Sequence, residues 1–491
     1  MRDLKSFPDA HLRIFERPAV PPADQIRSVY LIGICGTGMG SLAGLFKQAG
    51  YDVSGSDHGA WPPMSDRLHE MGIDFHTSFD AAHLTPAPDL VITGNACIPT
   101  HPEAAYTREK GLVQLSFPEA LAHFFIAERR SVVVTGTHGK TTTTALMAHV
   151  LSESGRNPGY LVGGVMVNTG TSYAVGTGNY FVSEGDEYDS AYFDKRPKFL
   201  HYRPTTAMVT SMEFDHADIY EDWAAYQAVF VELAQMISSE GNLVLCGDHA
   251  AVRKLAQNTQ AQVHLYGLQA DNHITAQDMI PEEGGQSFTL VVNGEPQGTF
   301  WLPMSGQHNL TNALGVITVG LSEGLTLAEL RDALASFKGI KRRQEVRGVV
   351  HDVVVLDDFA HHPTAVRATI QAIRERYPKR RLIAVFEPRS NSSRRKVFEE
   401  DYAQAFDYAD VVMISAPPLR HNDDPANFMD VGIVADRIRQ KGISVHYFDS
   451  PEALLPELIA VTKPGDAVLI MSNGGFGGIH LKLMDALKTF G

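Results

Sequence analysis

The residues Gly136-Thr137-His138-Gly139-Lys140-Thr141-Thr142 have the types and spacing that most directly permit chemistry in this chain. Two glycines allow a tight turn whose N–H groups face an anion, and Lys140 adds a mobile positive charge. The Thr141 hydroxyl is placed to hold Mg²⁺. Such a turn needs a strand before it and a helix after it, so that the positive helix end also faces the anion. Both are present: Ser131-Val132-Val133-Val134-Thr135 is a β-branched apolar run, and 145–151 is helix-compatible. The spacing is a short G-T-x-G-K-T-T, since Val134 stands five positions before Gly139. It predicts a site for a nucleoside triphosphate. Glu184 closes a second apolar run, 180–184, and an acid at the end of a neighbouring parallel strand is where such folds hold Mg²⁺.

A second glycine turn lies near the start. The apolar run 28–35 leads into Gly36-Thr37-Gly38-Met39-Gly40, a helix is predicted over 41–49, and a strand near 52–55 ends in Ser56-Asp57. This βαβ start fails the dinucleotide fingerprint, which needs glycine at Ser41, yet it suits a nucleotide diphosphate. Alternation continues through 89–95, with Asn95 just after a strand, and through 118–126, closing a first domain near 128. A second domain runs from the phosphate loop to about 340. It includes a strand over 206–212 and a helix opening at 306–313, with Asn309 and Asn312 on one face. The third domain begins at 353–363 and alternates strands (382–386, 411–415, 445–448, 467–472) with helices, the pattern of a doubly wound parallel sheet.

A length of 491 residues is too great for one core. With 44% hydrophobic and 20% charged residues, the composition is that of a soluble globular protein. The net charge of −15 argues against nucleic acid or an anionic membrane as main partner. Three scattered cysteines without metal-ligand spacing suit a reducing cytosol, and no signal peptide or membrane-spanning run is read, which predicts a cytoplasmic protein. Residues 1–27 read as an irregular, proline-bearing extension.

The blocks Gly33-Ile34-Cys35-Gly36-Thr37-Gly38-Met39-Gly40, 184–196, Glu213-Phe214-Asp215-His216-Ala217-Asp218 and 472–480 resemble the Mur ligases over nearly all of the chain after residue 27. Among these the blocks are most similar to the member that joins L-Ala-γ-D-Glu-meso-diaminopimelate to UDP-N-acetylmuramate. The resemblance implies an ADP-forming amide ligase working through an acyl phosphate in cell-wall peptide recycling, with ATP and Mg²⁺ as cofactors and small-molecule substrates as partners. It implies a Rossmann-like UDP-sugar-binding domain (28–128), a central P-loop ATPase domain (129–342) and a Rossmann-like acceptor-binding domain (343–491).

By resemblance, Thr141 and Glu184 hold one Mg²⁺ and His216 helps to hold a second. Gly136 to Thr142, Asn309, Asn312, Arg343 and Asp358 bind ATP, with Lys140, His216, Asp358 and His361 in catalytic roles. Gly36, Thr37, Gly38 and Met39 line the UDP diphosphate, with Asp57 and Asn95 near the uridine or sugar. Arg389, Ser390 and Asn391, at the ligand end of a predicted strand, take the acceptor, since an arginine fork matches a carboxylate. Two departures stand out. No lysine occurs between Lys198 and Lys254, where several Mur ligases carry a carbamylated one, and Gln344 replaces the aromatic usual in the alanine-adding member. Competing readings are that alanine-adding ligase, a dinucleotide-dependent oxidoreductase, and a signalling or motor NTPase.

Overall fold

The computed structural model describes residues 3–59, 64–214, 219–282, 284–390, 393–417 and 425–489. Its sheets are mainly parallel and alternate with helices, and the chain falls into two compact units. Unit 1 holds the chain up to Val165, Thr169–Thr275 and Leu314–Ala333; unit 2 holds Met166–Asn168, Ala276–Ala313 and Leu334–Gly491.

Unit 1 contains two sheets. The first comprises β1 (Ser28–Ile32), β2 (Asp52–Ser56), β3 (Asp74–His76), β4 (Leu90–Thr93) and β5 (Gln114–Ser116), all parallel, in the order β3-β2-β1-β4-β5. β1 and β4 read as continuous apolar runs because both of their faces are covered. The strand order reverses between β1 and β4, so the crevice at their carboxyl ends is the switch point where such sheets take ligands. The glycine turn after β1 lies there. Its helix, Thr37–Gln48, starts inside the turn, four residues before the predicted Ser41, with Gly36 as N-cap. The glycines persist within the helix because of close packing: a Cβ on Gly40 or Gly44 would collide with Met64 or Tyr173.

The second sheet holds β6 (Arg130–Thr135), β7 (Gly159–Leu161), β8 (Tyr173–Ala174) and β9 (Tyr180–Gly185). After the separate β10–β11 hairpin (Asp189–Ala191, Asp194–Pro197) come β12 (Thr206–Val209), β13 (Asn242–Cys246) and β14 (Gln262–Tyr266). The order is β14-β13-β12-β6-β9-β7-β8, parallel except for β8 at the edge. β12 is shorter than the predicted 206–212, because Thr210, Ser211 and Glu213 leave the ladder and bond to the phosphate loop. The first residues are less irregular than expected: helical turns form at Leu4–Ser6, Ala10–Arg13 and Ala23–Gln25.

β15 (Ile274–Glu282) leads into unit 2, where β16 (Gly285–Val292) and β17 (Glu295–Leu302) form an antiparallel hairpin that the sequence reading did not anticipate. The remaining sheet comprises β18 (Glu345–Val350), β19 (Val353–Asp358), β20 (Arg381–Phe386), β21 (Val411–Ser415), β22 (Ser444–Phe448) and β23 (Asp466–Met471). Its order is β18-β19-β23-β20-β21-β22. The predicted parallel sheet is present, with β18 added as an antiparallel edge. Apolar cores lie on both sides, one around Leu356, Ala384 and Phe386, the other around Val355, Ile383 and Val385. Alternate residues of the same strands supply them, as the period of two requires. Among the described residues no helix is long and apolar enough to cross a membrane.

Candidate active site

The phosphate loop joins β6 to the helix Lys140–Glu153. Gly136 (φ 127°) and Gly139 (φ 81°) take the left-handed conformations that a side chain resists. A Cβ at Gly136 would also meet Thr210 and the backbone of Ser211. The loop is laced to the segment after β12: Thr137 N–H donates to Ser211 O (3.1 Å), His138 N–H to Ser211 Oγ (3.0 Å), and Thr210 Oγ1 to His138 O (2.6 Å). Thr137 Oγ1 also lies 3.0 Å from the Tyr226 hydroxyl, and His138 Nε2 lies 2.9 Å from Glu213. These bonds fix the loop and direct two of its N–H groups inward. The N–H groups of the helix start, Gly139 to Thr142, lack intrahelical partners by construction and are available to an anion.

Lys140 Nζ donates to its own loop at Gly136 O (2.7 Å) and to Glu187 (2.9 Å). Burial disfavours its ammonium, but Glu187, Asp186 and Glu184 outweigh that and hold its pKa above the ordinary value. Thr141 Oγ1 donates to Glu184 (3.1 Å), whose other oxygen accepts the Gly163 N–H. The predicted metal pair Thr141 and Glu184 is therefore together. His216, the third predicted ligand, lies outside the described residues.

At the first glycine turn, Asp57 accepts from Cys35 N–H (2.9 Å) and Gly59 N–H (3.1 Å), joining the ends of β1 and β2. The Met39 side chain is buried, so this residue offers a diphosphate only its backbone. Gly38 faces the ring of Phe117. Asn95 follows β4 by two positions and is half-buried.

In unit 2, Asn309 Nδ2 donates to Ser305 O (2.8 Å), and Asn309 and Asn312 are both buried at the start of the helix Gln307–Ser322. His308 has its pKa pushed down to about 4, by burial and then by Arg343. Arg343 lies over the Phe359 ring (4.9 Å). Asp358 accepts from Gln344 N–H and Ala360 N–H, both at 2.7 Å; burial raises its pKa against the pull of Arg343. His361 Nδ1 lies 3.0 Å from Phe359 O.

The turn after β23 gathers the predicted acceptor side. Arg342 donates to Ser472 O (2.7 Å) and Gly474 O (2.6 Å), while Ser472 Oγ donates to the buried Glu387 (2.6 Å). Arg389 lies 3.8 Å from Glu387, with half of its side chain exposed. Ser390 Oγ bonds to Ser393 Oγ (2.9 Å) and accepts Ser393 N–H, so it shapes its own turn. Asn391 lies outside the described residues.

The sequence reading missed three groups: Glu187 as the partner of Lys140, Arg342 and Glu387. Glu187 stands in the quoted block 184–196, where an acid three positions after Glu184 was a usable signal; Arg342 and Glu387 lie outside the quoted blocks.

Three family models match the chain in order: Mur ligase family, catalytic domain, at residues 28–129; Mur ligase middle domain at 134–320; and Mur ligase, glutamate ligase domain, at 342–474. The chain is 39% identical over 466 residues to the UDP-N-acetylmuramate–L-alanyl-γ-D-glutamyl-meso-2,6-diaminoheptandioate ligase of Haemophilus influenzae, covering 94% of this chain and 100% of the relative. It is 34% identical over 473 residues to the UDP-N-acetylmuramate–L-alanine ligase of Salinibacter ruber, covering 96% and 97%. Among solved structures, a murein peptide ligase from Psychrobacter arcticus superposes with a TM-score of 0.70 at 35% identity, covering 95% of this chain and 99% of that one.

Proposed function

The chain belongs to the Mur ligase family, and from that premise we propose that it joins the tripeptide L-Ala-γ-D-Glu-meso-diaminopimelate to UDP-N-acetylmuramate at the expense of ATP. It is an ATP-dependent amide ligase with the three-domain α/β architecture of its family. We assign 28–128 to the UDP-sugar, 129–342 to ATP and 343–491 to the acceptor, with the work done in the cytoplasm.

The muramyl carboxylate attacks the γ-phosphate, giving an acyl phosphate and ADP. The acceptor amine then attacks the acyl carbon, an amide bond forms, and phosphate leaves. Two anions must meet in the first step, so concentrated positive charge governs its barrier. Lys140 supplies that charge, and Glu187 and Gly136 O fix where its ammonium lies. The helix-start N–H groups from Gly139 to Thr142 orient the phosphates. Thr141 and Glu184 are hard oxygen donors 3.1 Å apart, a set that fits Mg²⁺, which when bound spreads the phosphate charge. His216 is assigned as a further ligand on the family motif alone.

In unit 2, Asn309, Asn312, Arg343 and Asp358 are assigned to the nucleotide, with His361 beside them. Asp358 is fixed by two backbone N–H donors, which suits a group that orients rather than transfers protons. Gly36, Thr37, Gly38 and Met39 are assigned to the diphosphate, Asp57 and Asn95 to the uridine or sugar, and Arg389 and Ser390, with Asn391, to the acceptor.

The observation that carries this reading is the end-to-end match to the peptide-adding relative, with Arg389 half exposed beside a buried acid at the ligand end of β20. The alanine-adding reading draws on the 34% identity to the Salinibacter ruber relative, which is lower than the 39% to the peptide-adding one. The test offers tripeptide and free L-alanine side by side with ATP and UDP-N-acetylmuramate, reading products by mass spectrometry. Efficient tripeptide ligation is expected; a preference for alanine would overturn the assignment.

A further inference from the structure

We propose that residues 3–17 form a strap that positions the UDP-sugar half of the active site by clamping the β10–β11 hairpin against the first sheet. The inference rests on the assignment of the first glycine turn to the UDP-sugar.

The hairpin follows β9 in the chain as a sheet of its own. Tyr192 and Phe193 are buried there, packed with Tyr30, Ile32 and Val91 from β1 and β4. Gln114 Nε2 donates to Thr93 Oγ1 (2.7 Å) and lies 3.5 Å from the Tyr192 hydroxyl. The tip is thereby tied to the last residue of β4, two positions before Asn95.

The base of the same hairpin serves the phosphate loop. Glu187 holds Lys140, and Lys198 donates to Asp186 and to the Tyr188 hydroxyl, both at 3.1 Å. Lys198 also lies over Phe117 (5.2 Å), the ring faced by Gly38 of the first glycine turn. One short element therefore touches the phosphate loop directly, and reaches the first glycine turn through Phe117 and the end of β4 through Gln114. A shift of its tip moves the floor of the sugar site.

The strap covers that tip. Arg17 binds Glu119 through two bonds (2.8 and 2.9 Å) and lies over the Phe193 ring (4.7 Å). Glu119 also accepts the N–H of Ser116 at the end of β5, in a capping box, so Arg17 fastens the strap to the sheet itself. Arg13, held by Asp9, donates to Tyr192 O (3.1 Å). Phe15 stacks on Tyr192 (6.3 Å, 20°) and meets Phe193 edge-on (5.9 Å), and Arg108 lies over its ring (5.7 Å). Forked arginines and aromatic stacking restrict orientation as well as distance, which is what a positioning element requires.

The test is calorimetric, in the full chain, with UDP-N-acetylmuramate and ATP titrated separately into wild type, Arg17→Ala, Phe15→Ala and the milder Arg17→Lys, alongside thermal midpoints. Expected is a weakening of sugar binding by about tenfold in the alanine variants, with ATP affinity and thermal midpoint unchanged. Arg17→Lys keeps the charge and loses the fork, and should fall between. Unchanged sugar affinity in folded variants would overturn the inference. So would sugar and ATP affinities that fall together with the thermal midpoint, since that marks a strap that only stabilises. Wild-type protein that does not bind UDP-N-acetylmuramate would instead remove the assignment on which the inference rests.

Discussion

At the scale of single residues, Lys140 bears the charge and Glu187 decides where it sits. Lys140→Ala should lower kcat by about 10²-fold or more, roughly 3 kcal/mol of lost electrostatic stabilisation, and lower the thermal midpoint as well, because the buried Glu187 loses the Lys140 cation. Circular dichroism and steady-state kinetics check both halves, and near-normal turnover would remove the loop from the mechanism. Glu184→Gln should raise the Mg²⁺ concentration needed for half-maximal rate, because it removes an anionic donor beside Thr141. An unchanged Mg²⁺ titration would leave that carboxylate a structural role, in bonding Thr141 and Gly163. Arg389 is half exposed, so Arg389→Ala should cost only about 1–2 kcal/mol in kcat/KM for the tripeptide. Lys140 and Thr141 were legible in the sequence because each stands at a fixed offset within a strand–turn–helix pattern, and Glu184 because it closes a neighbouring apolar run. Arg17 and Glu119 were not, because 102 positions separate them and no periodicity joins them.

At the scale of elements, the parallel strands were legible because burial on both faces writes a continuous apolar run, as in β1, β4 and β21. β17 hid because much of it is exposed and polar, and β18 because it is an edge with Gly348 at an irregular register. The phosphate loop depends on its glycine conformation. Gly136→Ala should destabilise the protein by about 1–3 kcal/mol, since φ 127° is strained for a side chain and Thr210 fills the space. Denaturant unfolding measures this, and a stability equal to wild type would show that the turn tolerates the strain.

The helix start in unit 2 carries a pH signature. His308 has a folded pKa of about 4, below its ordinary value of 6.5, so over that window the unfolded chain binds more protons. Stability is therefore lost as pH falls from 6.5 towards 4 and regained as it rises. His308→Gln should show a smaller loss of denaturant midpoint across that window than wild type; identical slopes would exclude this histidine as the source.

At the scale of the whole molecule, three family models follow one another along the chain, and the proposed chemistry draws on all three segments. ATP consumption should then depend on the sugar substrate: ADP release, followed by a coupled assay, is expected to stay near background with ATP alone and rise when UDP-N-acetylmuramate and tripeptide are present. Turnover indifferent to the sugar would favour a signalling or motor NTPase. The Thr137–Tyr226 contact also gives the chain an intrinsic optical probe. Trp223, partly exposed, stacks on Tyr226 (5.8 Å, 29°), whose hydroxyl touches the phosphate loop. A tryptophan one ring away from the loop should change its fluorescence when nucleotide binds. Trp223→Phe should abolish that signal while leaving catalysis in place, so that loop occupancy can be followed by light without any attached dye.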